Sequence, residues 1–190
     1  MSLITHSQAE HEAVLTAAKL IMVAVATAPK ARGVSEVNSL LLTAEEKERL
    51  AGAMEEHDQR KAKPLGIFAR DAQNIRKAAA VVLIGVKGTM PKKPETPLNC
   101  GACGFLSCNE LIKAQKKKGE DFTGPLCAFQ IIDLGIALGV AAKMAAELNL
   151  DNRIMYSAGA AAMDLGLFTA DLVIALPLSV GAKNIFFDRG

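Results

Sequence analysis

AAAVVLIGV, residues 78–86, is an unbroken apolar run near the middle of the chain. Its length and its Val/Ile content suit a strand. A run that is apolar at every position, rather than at every second one, fits a strand covered on both faces. Such a strand needs one layer above it and another below it.

The flanking segments supply those layers. Ser7–Ala26 reads as a helix, with Ala13, Val14, Ala17, Ala18, Ile21 and Val25 near a 3.6-residue period. Ala28–Val34 is a loop broken by Pro29 and Gly33. Val37–Leu42 reads as a short strand. Thr43 and Glu46 predict a capping box before a charged helix that runs to about Glu56. Asp71–Lys77 is a polar helical stretch leading into the central run. On its far side, Lys87–Leu98 (KGTMPKKPETPL) crowds three prolines and three lysines together and reads as an exposed linker. The cysteine segment Asn99–Cys127 follows. Ala128–Leu148 is a long Ala-rich helix, broken at Asn149–Asn152. Arg153–Ser157 reads as a short strand, Ala160–Leu167 as a short helix, and Asp171–Leu178 as a strand ended by Pro177 and Gly181. This order predicts one domain over residues 1–190, an α+β or α/β three-layer arrangement, with the segment 99–127 inserted into it.

Composition narrows the function classes. The chain has 190 residues and is 51% hydrophobic but only 4% aromatic, so the core is built from Ala, Leu, Ile, Val and Met. A net charge of +2 gives no electrostatic argument for a nucleic-acid partner. Mean hydropathy is positive, +0.23, and three segments raise the question of a membrane span. Leu15–Ala28 is short of the roughly 20 residues a crossing helix needs. Ile131–Leu148 carries Asp133 and Lys143, and Ala158–Val180 carries Asp164 and Asp171. Central charges cost about 2.5–3.5 kcal/mol each on insertion, so all three read as buried segments without a membrane span. Met1–Glu12 has no basic stretch followed by an apolar one, so no secretory signal is read and a cytoplasmic protein is expected.

In a reducing compartment, clustered cysteines are metal ligands more often than disulfides. All four cysteines of the chain lie in one segment, spaced Cys100-x2-Cys103-x4-Cys108-x18-Cys127. Gly101 and Gly104 let the loop take positive φ close to a cluster, where backbone N–H groups tune its potential. Cys108 is expected to open a helix through Lys118, a position favouring a thiolate. Gly124-Pro125 turns the chain so that Cys127 closes the site. Structural zinc sites built from four cysteines usually use two Cys-x2-Cys knuckles, and only one is present here. The spacing therefore favours iron–sulfur, with structural zinc and unligated thiols as the alternatives.

CGACGFLSC…GPLC resembles the four-cysteine [4Fe-4S] module of the RnfB subunit of electron-transport complexes and of corrinoid iron–sulfur proteins. Cys100, Gly101, Cys103, Gly104, Cys108 and Cys127 match that pattern; Ala128 stands where the module often has proline. The rest of the chain resembles a nitroreductase-type flavoprotein. The likeness lies in Ala17–Met54, in the Asp133-Leu134-Gly135 helix, and in Leu165-Gly166-Leu167 followed by Asp171–Leu178. As a whole the chain resembles the family described as ferredoxin-domain-containing proteins. The resemblance implies a nitroreductase-like three-layer α/β/α fold and a homodimer with FMN at the subunit interface. No Arg-x-Ser-x-Arg phosphate-binding run precedes the first helix. Lys30, Arg32 and Arg189 are the candidate phosphate contacts in its place; ordinary loop charges are the competing reading of Lys30 and Arg32.

Other residues carry two readings each. Lys113, Lys116, Lys117 and Lys118 are a solvated helix face, or they offset cluster charge and guide an acidic redox partner. Gly135, Gly139, Ala142 and Ala146 form a small-residue stripe suited to close helix packing, as at a dimer interface, with ligand contact as the competing reading. Asp133 caps its helix or contacts a cofactor. His6, His11 and His57 read as surface histidines. The functional expectation is a [4Fe-4S] electron-transfer protein or an FMN-dependent oxidoreductase of undefined substrate. A structural or redox-sensing cluster, and a zinc-stabilised binding protein, are the alternatives.

Overall fold

The computed structural model describes residues 3–64 and 66–187. Helix α1 (His6–Thr27) leads through a single 3-10 turn, Ala31–Gly33, into strand β1 (Val37–Leu42). Helices α2 (Ala44–Arg60) and α3 (Ile67–Lys77) precede the central strand β2 (Ala80–Val86). The chain then makes a long excursion containing α4 (Cys108–Lys113) and the small hairpin β3 (Lys117–Lys118) and β4 (Thr123–Gly124). It returns into α5 (Ala128–Glu147), β5 (Asp151–Asn152), α6 (Tyr156–Asp164) and β6 (Leu172–Ser179).

The main sheet has the order β1-β2-β6-β5, with every pairing antiparallel. Its two faces explain the unbroken apolar run. Side chains alternate across a strand. Val82, Ile84 and Val86 therefore pack with Ile21 of α1 and Leu134 and Ala141 of α5. Val81 and Leu83 pack with Met54 of α2, Phe68 of α3 and Ala161 of α6. All seven residues of β2 are buried, and each large aliphatic side chain contributes about 1.5–3 kcal/mol on burial. The three-layer architecture is the one expected from the sequence.

Gly159 sets how close α6 lies to the sheet. A Cβ there would sit 2.1 Å from the carbonyl oxygen of Val173 in β6. Among the described residues α5 is the helix long and apolar enough to cross a membrane by length and composition. Its inner face lies in the core, and Gln130 and Asp133 are buried with it.

Four local expectations change. Thr43 caps α2 through its backbone only; the Glu46 carboxylate instead takes both contacts from Arg49, at 2.9 Å. Helix α4 stops at Lys113, because Lys117 and Lys118 pair with Gly124 and Thr123. The strand expected over 153–157 is displaced to β5, and Met155 keeps one isolated bridge to Ala175. The segment 87–98 is not a wholly exposed linker: Gly88, Pro91 and Lys92 are buried.

Candidate metal centre

The excursion between β2 and α5 is closed at its neck by one hydrogen bond. The Cys127 N–H donates to the Gly88 carbonyl at 2.7 Å. This places Cys127 at the N-cap of α5, beside the point where the excursion leaves the sheet. At its far side, Gly101 (φ 74°) and Gly104 (φ 86°) take the left-handed backbone expected of them. The Gly104 N–H donates to the Gly101 carbonyl at 2.9 Å, forming the turn that carries Cys100 and Cys103. Asn99 Oδ1 accepts from the Cys108 N–H at 2.9 Å, and Ser107 Oγ caps α4 by accepting from the Glu110 N–H. These last bonds brace the loop 99–108 onto the first turn of α4.

Cys100, Cys108 and Cys127 line one small cavity with Pro91, Lys92, Leu98 and Phe129. Cys103 is outside that lining, on the adjoining turn. Cys108 and Cys127 are buried, Cys103 is half-buried and Cys100 is exposed, and none of the four is in a disulfide. The cavity measures about 10 Å³. Among the described residues, no three Cys, His, Asp or Glu side chains are grouped closely enough to hold a metal ion. The donor chemistry and loop backbone suit a thiolate-held cluster.

Behind this cavity lies a buried ion pair. Lys92 Nζ stands 2.5 Å from Asp133 Oδ2, with both side chains almost fully buried. Lys92 also donates to the Val34 carbonyl at 2.6 Å. Asp133 accepts from the Ala31 N–H at 3.0 and 3.1 Å. Asp133 therefore does not cap α5; it ties the 3-10 turn and the excursion to that helix.

The candidate phosphate contacts have partners within the chain. Lys30 Nζ donates to the carbonyls of Val25, Ala26 and Ala28 at 2.7–2.8 Å, a favourable place for a cation at the C-terminal end of α1. Burial draws its pKa down, with Lys92 adding to that and Asp133 opposing it. Arg32 donates to the Thr96 carbonyl and to its hydroxyl. Arg189 lies outside the described residues. Among the described residues, Lys30 and Arg32 are thus each engaged by groups of the chain itself. The lysines after the third cysteine are not one helix face: Lys116 Nζ bonds the Leu111 carbonyl at 2.5 Å, and Lys117 and Lys118 are exposed on β3.

His57 is the main departure from the sequence reading. It is 4% exposed, not a surface residue. Its ring stacks on Phe68 with centroids 4.8 Å apart. Nδ1 faces Asp164 at 2.5 Å and Nε2 faces Asp121 at 2.6 Å. Lys61 Nζ reaches both Asp121 oxygens at 2.7 and 2.8 Å, and the Tyr156 hydroxyl donates to the same carboxylate. Asp121 sits between β3 and β4, so this network clamps the cysteine excursion to α2 and α6. One signal was available: His57 lies seven residues after Leu50 and three after Met54, on the buried face of α2.

Burial raises the Asp121 pKa, but bonds from Lys61, Tyr156 and His57, with the charge of Lys61, outweigh it and leave it lowered. Tyr156 is shifted upward by burial and by Asp121. A carboxylate with a lowered folded pKa stabilises the fold above its unfolded value, and this is lost as pH falls through the folded one. The stability gap between wild type and Asp121→Asn is thus expected to be widest at neutral pH and to narrow below about pH 4. Urea titrations between pH 7 and pH 3 measure it; a gap independent of pH would contradict the assignment.

A family described as uncharacterised proteins containing a ferredoxin domain matches residues 123–189, a stretch that includes Cys127. An uncharacterised protein of Archaeoglobus fulgidus is 44% identical over 187 residues, covering 98% of this chain and 97% of its own. The NADPH:FMN oxidoreductase of Vibrio harveyi, solved with NAD+, is similar in structure at a TM-score of 0.53 and 15% identity. That match covers 89% of this chain and 60% of the oxidoreductase, so the chain spans less than two thirds of that neighbour. A nitroreductase with bound FMN from Desulfitobacterium hafniense gives the same TM-score at 10% identity, covering 89% of this chain and 80% of its own. At such identities the likeness establishes a nitroreductase-like α+β fold. With a near-full-length relative beside the ferredoxin-domain match, the chain belongs to the family of uncharacterised proteins that contain a ferredoxin domain.

Proposed function

We propose that the chain binds one [4Fe-4S] cluster through Cys100, Cys103, Cys108 and Cys127 and works in electron transfer, either as a carrier or within a redox enzyme. The observation that carries this reading is convergence. Three of the four thiols line one cavity, and they come from an exposed loop, the start of α4 and the start of α5. The ferredoxin-domain family and the nitroreductase-like fold support a redox role at the coarser level. Bound there, the cluster supplies one-electron chemistry at a potential set by its surroundings. The chain's own contribution is to hold it and to place Lys92, a buried cation, in the wall.

FMN is the second cofactor proposed, because the D. hafniense neighbour carries it. Lys30 and Arg32 would have to exchange their present partners to meet its phosphate, and no step is assigned to it. The outer faces of α1 and α5 expose Leu20, Val23, Ile132 and Ile136 beside Gly135 and Gly139. That apolar face supports a homodimer. The exposed Lys113, Lys117 and Lys118 suit an acidic redox partner protein. A cytoplasmic location completes the proposal.

The ligand set is tested by Cys108→Ala. The variant is expected to purify folded, by far-UV circular dichroism, but without the cluster absorption and with iron reduced to background. Full iron content in this variant would mean that the ligand set is wrong.

A further inference from the structure

Cys100, Cys103 and Cys108 come from one loop, and apolar packing does not hold its entrance: residues 98–102 are all exposed. Hydrogen bonds fix the chain there instead. Ahead of the cysteines, the Thr96 carbonyl and hydroxyl both accept from Arg32. Past that anchor stands Asn99, immediately before Cys100, with a left-handed backbone (φ 49°). Few residues other than glycine enter that region, and asparagine is foremost among them.

The Asn99 side chain makes a second connection. Its Oδ1 accepts from the Cys108 N–H at 2.9 Å, nine residues further along the chain. Cys108 is the first residue of α4, and the first N–H groups of a helix have no acceptor within it. Ser107 Oγ takes another of these donors, the Glu110 N–H, at 3.2 Å. The two side chains thus divide the open end of α4 between them. The Asn99 bond differs in what it encloses. It joins the two ends of the stretch 99–108 and so brackets Cys100, Cys103 and Cys108 in one closed loop. Cys100 and Cys108, near the ends of that loop, line the same cavity.

We propose that Asn99 is a positioning residue for the cysteine centre. Its backbone turns the chain into Cys100, and its side chain holds the Cys108 end of the loop beside it, so that these thiols are gathered before iron arrives. The inference rests on the iron–sulfur assignment and adds a residue that is not itself a ligand. A loop already closed loses less conformational freedom when it binds. It therefore takes up a cluster more readily and releases it more slowly.

Two variants separate the bond from the backbone. Asn99→Gly keeps the left-handed backbone and removes the acceptor; Asn99→Asp keeps the acceptor. Amide exchange is read by NMR on the full chain before reconstitution with iron and sulfide. The Cys108 N–H is expected to exchange about tenfold faster in Asn99→Gly than in wild type, the value of one hydrogen bond, and within about twofold of wild type in Asn99→Asp. The Leu111 N–H, bonded to the Ser107 carbonyl, is the internal control and should not change. After anaerobic reconstitution, a chelator is expected to strip the cluster absorption about tenfold faster from Asn99→Gly and at close to the wild-type rate from Asn99→Asp. Unchanged Cys108 exchange in Asn99→Gly, or a cluster that leaves it at the wild-type rate, would overturn the role. Loss of protection at Leu111 as well would make Asn99 a support of α4 as a whole and would equally overturn it. A wild-type chain that takes up no cluster overturns the iron–sulfur assignment and this role with it; a cluster that binds wild type and ignores Asn99 overturns this role alone.

Discussion

Lys92→Met is expected to destabilise the fold by about 3–5 kcal/mol, the cost of leaving one member of a buried ion pair without its partner. Asp133 would keep only the Ala31 N–H among its present partners. Equilibrium urea unfolding measures the loss, and a change below about 1 kcal/mol would show that the pair is not buried as described. In a double-mutant cycle, Lys92→Met with Asp133→Leu should cost clearly less than the two single changes added together, because the second removes the stranded charge. The pair also has an electrical consequence. Lys92 lines the thiol cavity, and a four-thiolate cluster there carries about −2 in its oxidised form. Without the lysine, adding an electron becomes harder, so the midpoint potential should move to more negative values. Protein-film voltammetry of the variant reads that direction.

Gly159→Ala is expected to cost about 3 kcal/mol or more, at the upper end of what overpacking a core does. The new methyl group would lie 2.1 Å from the Val173 carbonyl oxygen, 2.6 Å from its carbonyl carbon and 2.7 Å from the Ile174 Cα. These are backbone atoms, so no rotamer change relieves them. Helix α6 must lift from β6, loosening the core of Ala158, Ala162 and Val173. Gly52→Ala is the matched control. It lies within α2 with nothing near the added carbon, and it should raise stability by about 0.5–1 kcal/mol through helix propensity. If both variants melt like wild type, α6 is not seated on the sheet as closely as described.

What the sequence made legible was what local pattern encodes. The apolar run over 78–86 announced a strand buried on both faces, and β2 is that strand. Val37–Leu42 matched β1 at both ends. The periodicity of Ser7–Ala26 located α1 to within a residue at each end. Gly101 and Gly104, between the cysteines, take the positive φ that glycine allows. What stayed hidden depends on partners far apart in the chain. Lys92, amid prolines and lysines, looked solvated because Asp133 lies 41 residues later. His57 looked ordinary because Asp121 and Asp164 lie 64 and 107 residues away. Helix α4 looked longer because nothing near Lys117 and Lys118 announced their pairing with Thr123 and Gly124. The cysteine segment stood out in the sequence by its spacing, but the buried cation beside it did not, since Lys92 and Asp133 meet only when the segment 87–98 packs on α5.

The central claim is that the four cysteines hold an iron–sulfur cluster. The visible spectrum of the anaerobically purified wild-type protein, with its metal content, tests it most directly. The expected result is a broad brown absorption, bleached by dithionite, with about four irons per chain. A colourless protein carrying stoichiometric zinc would contradict it.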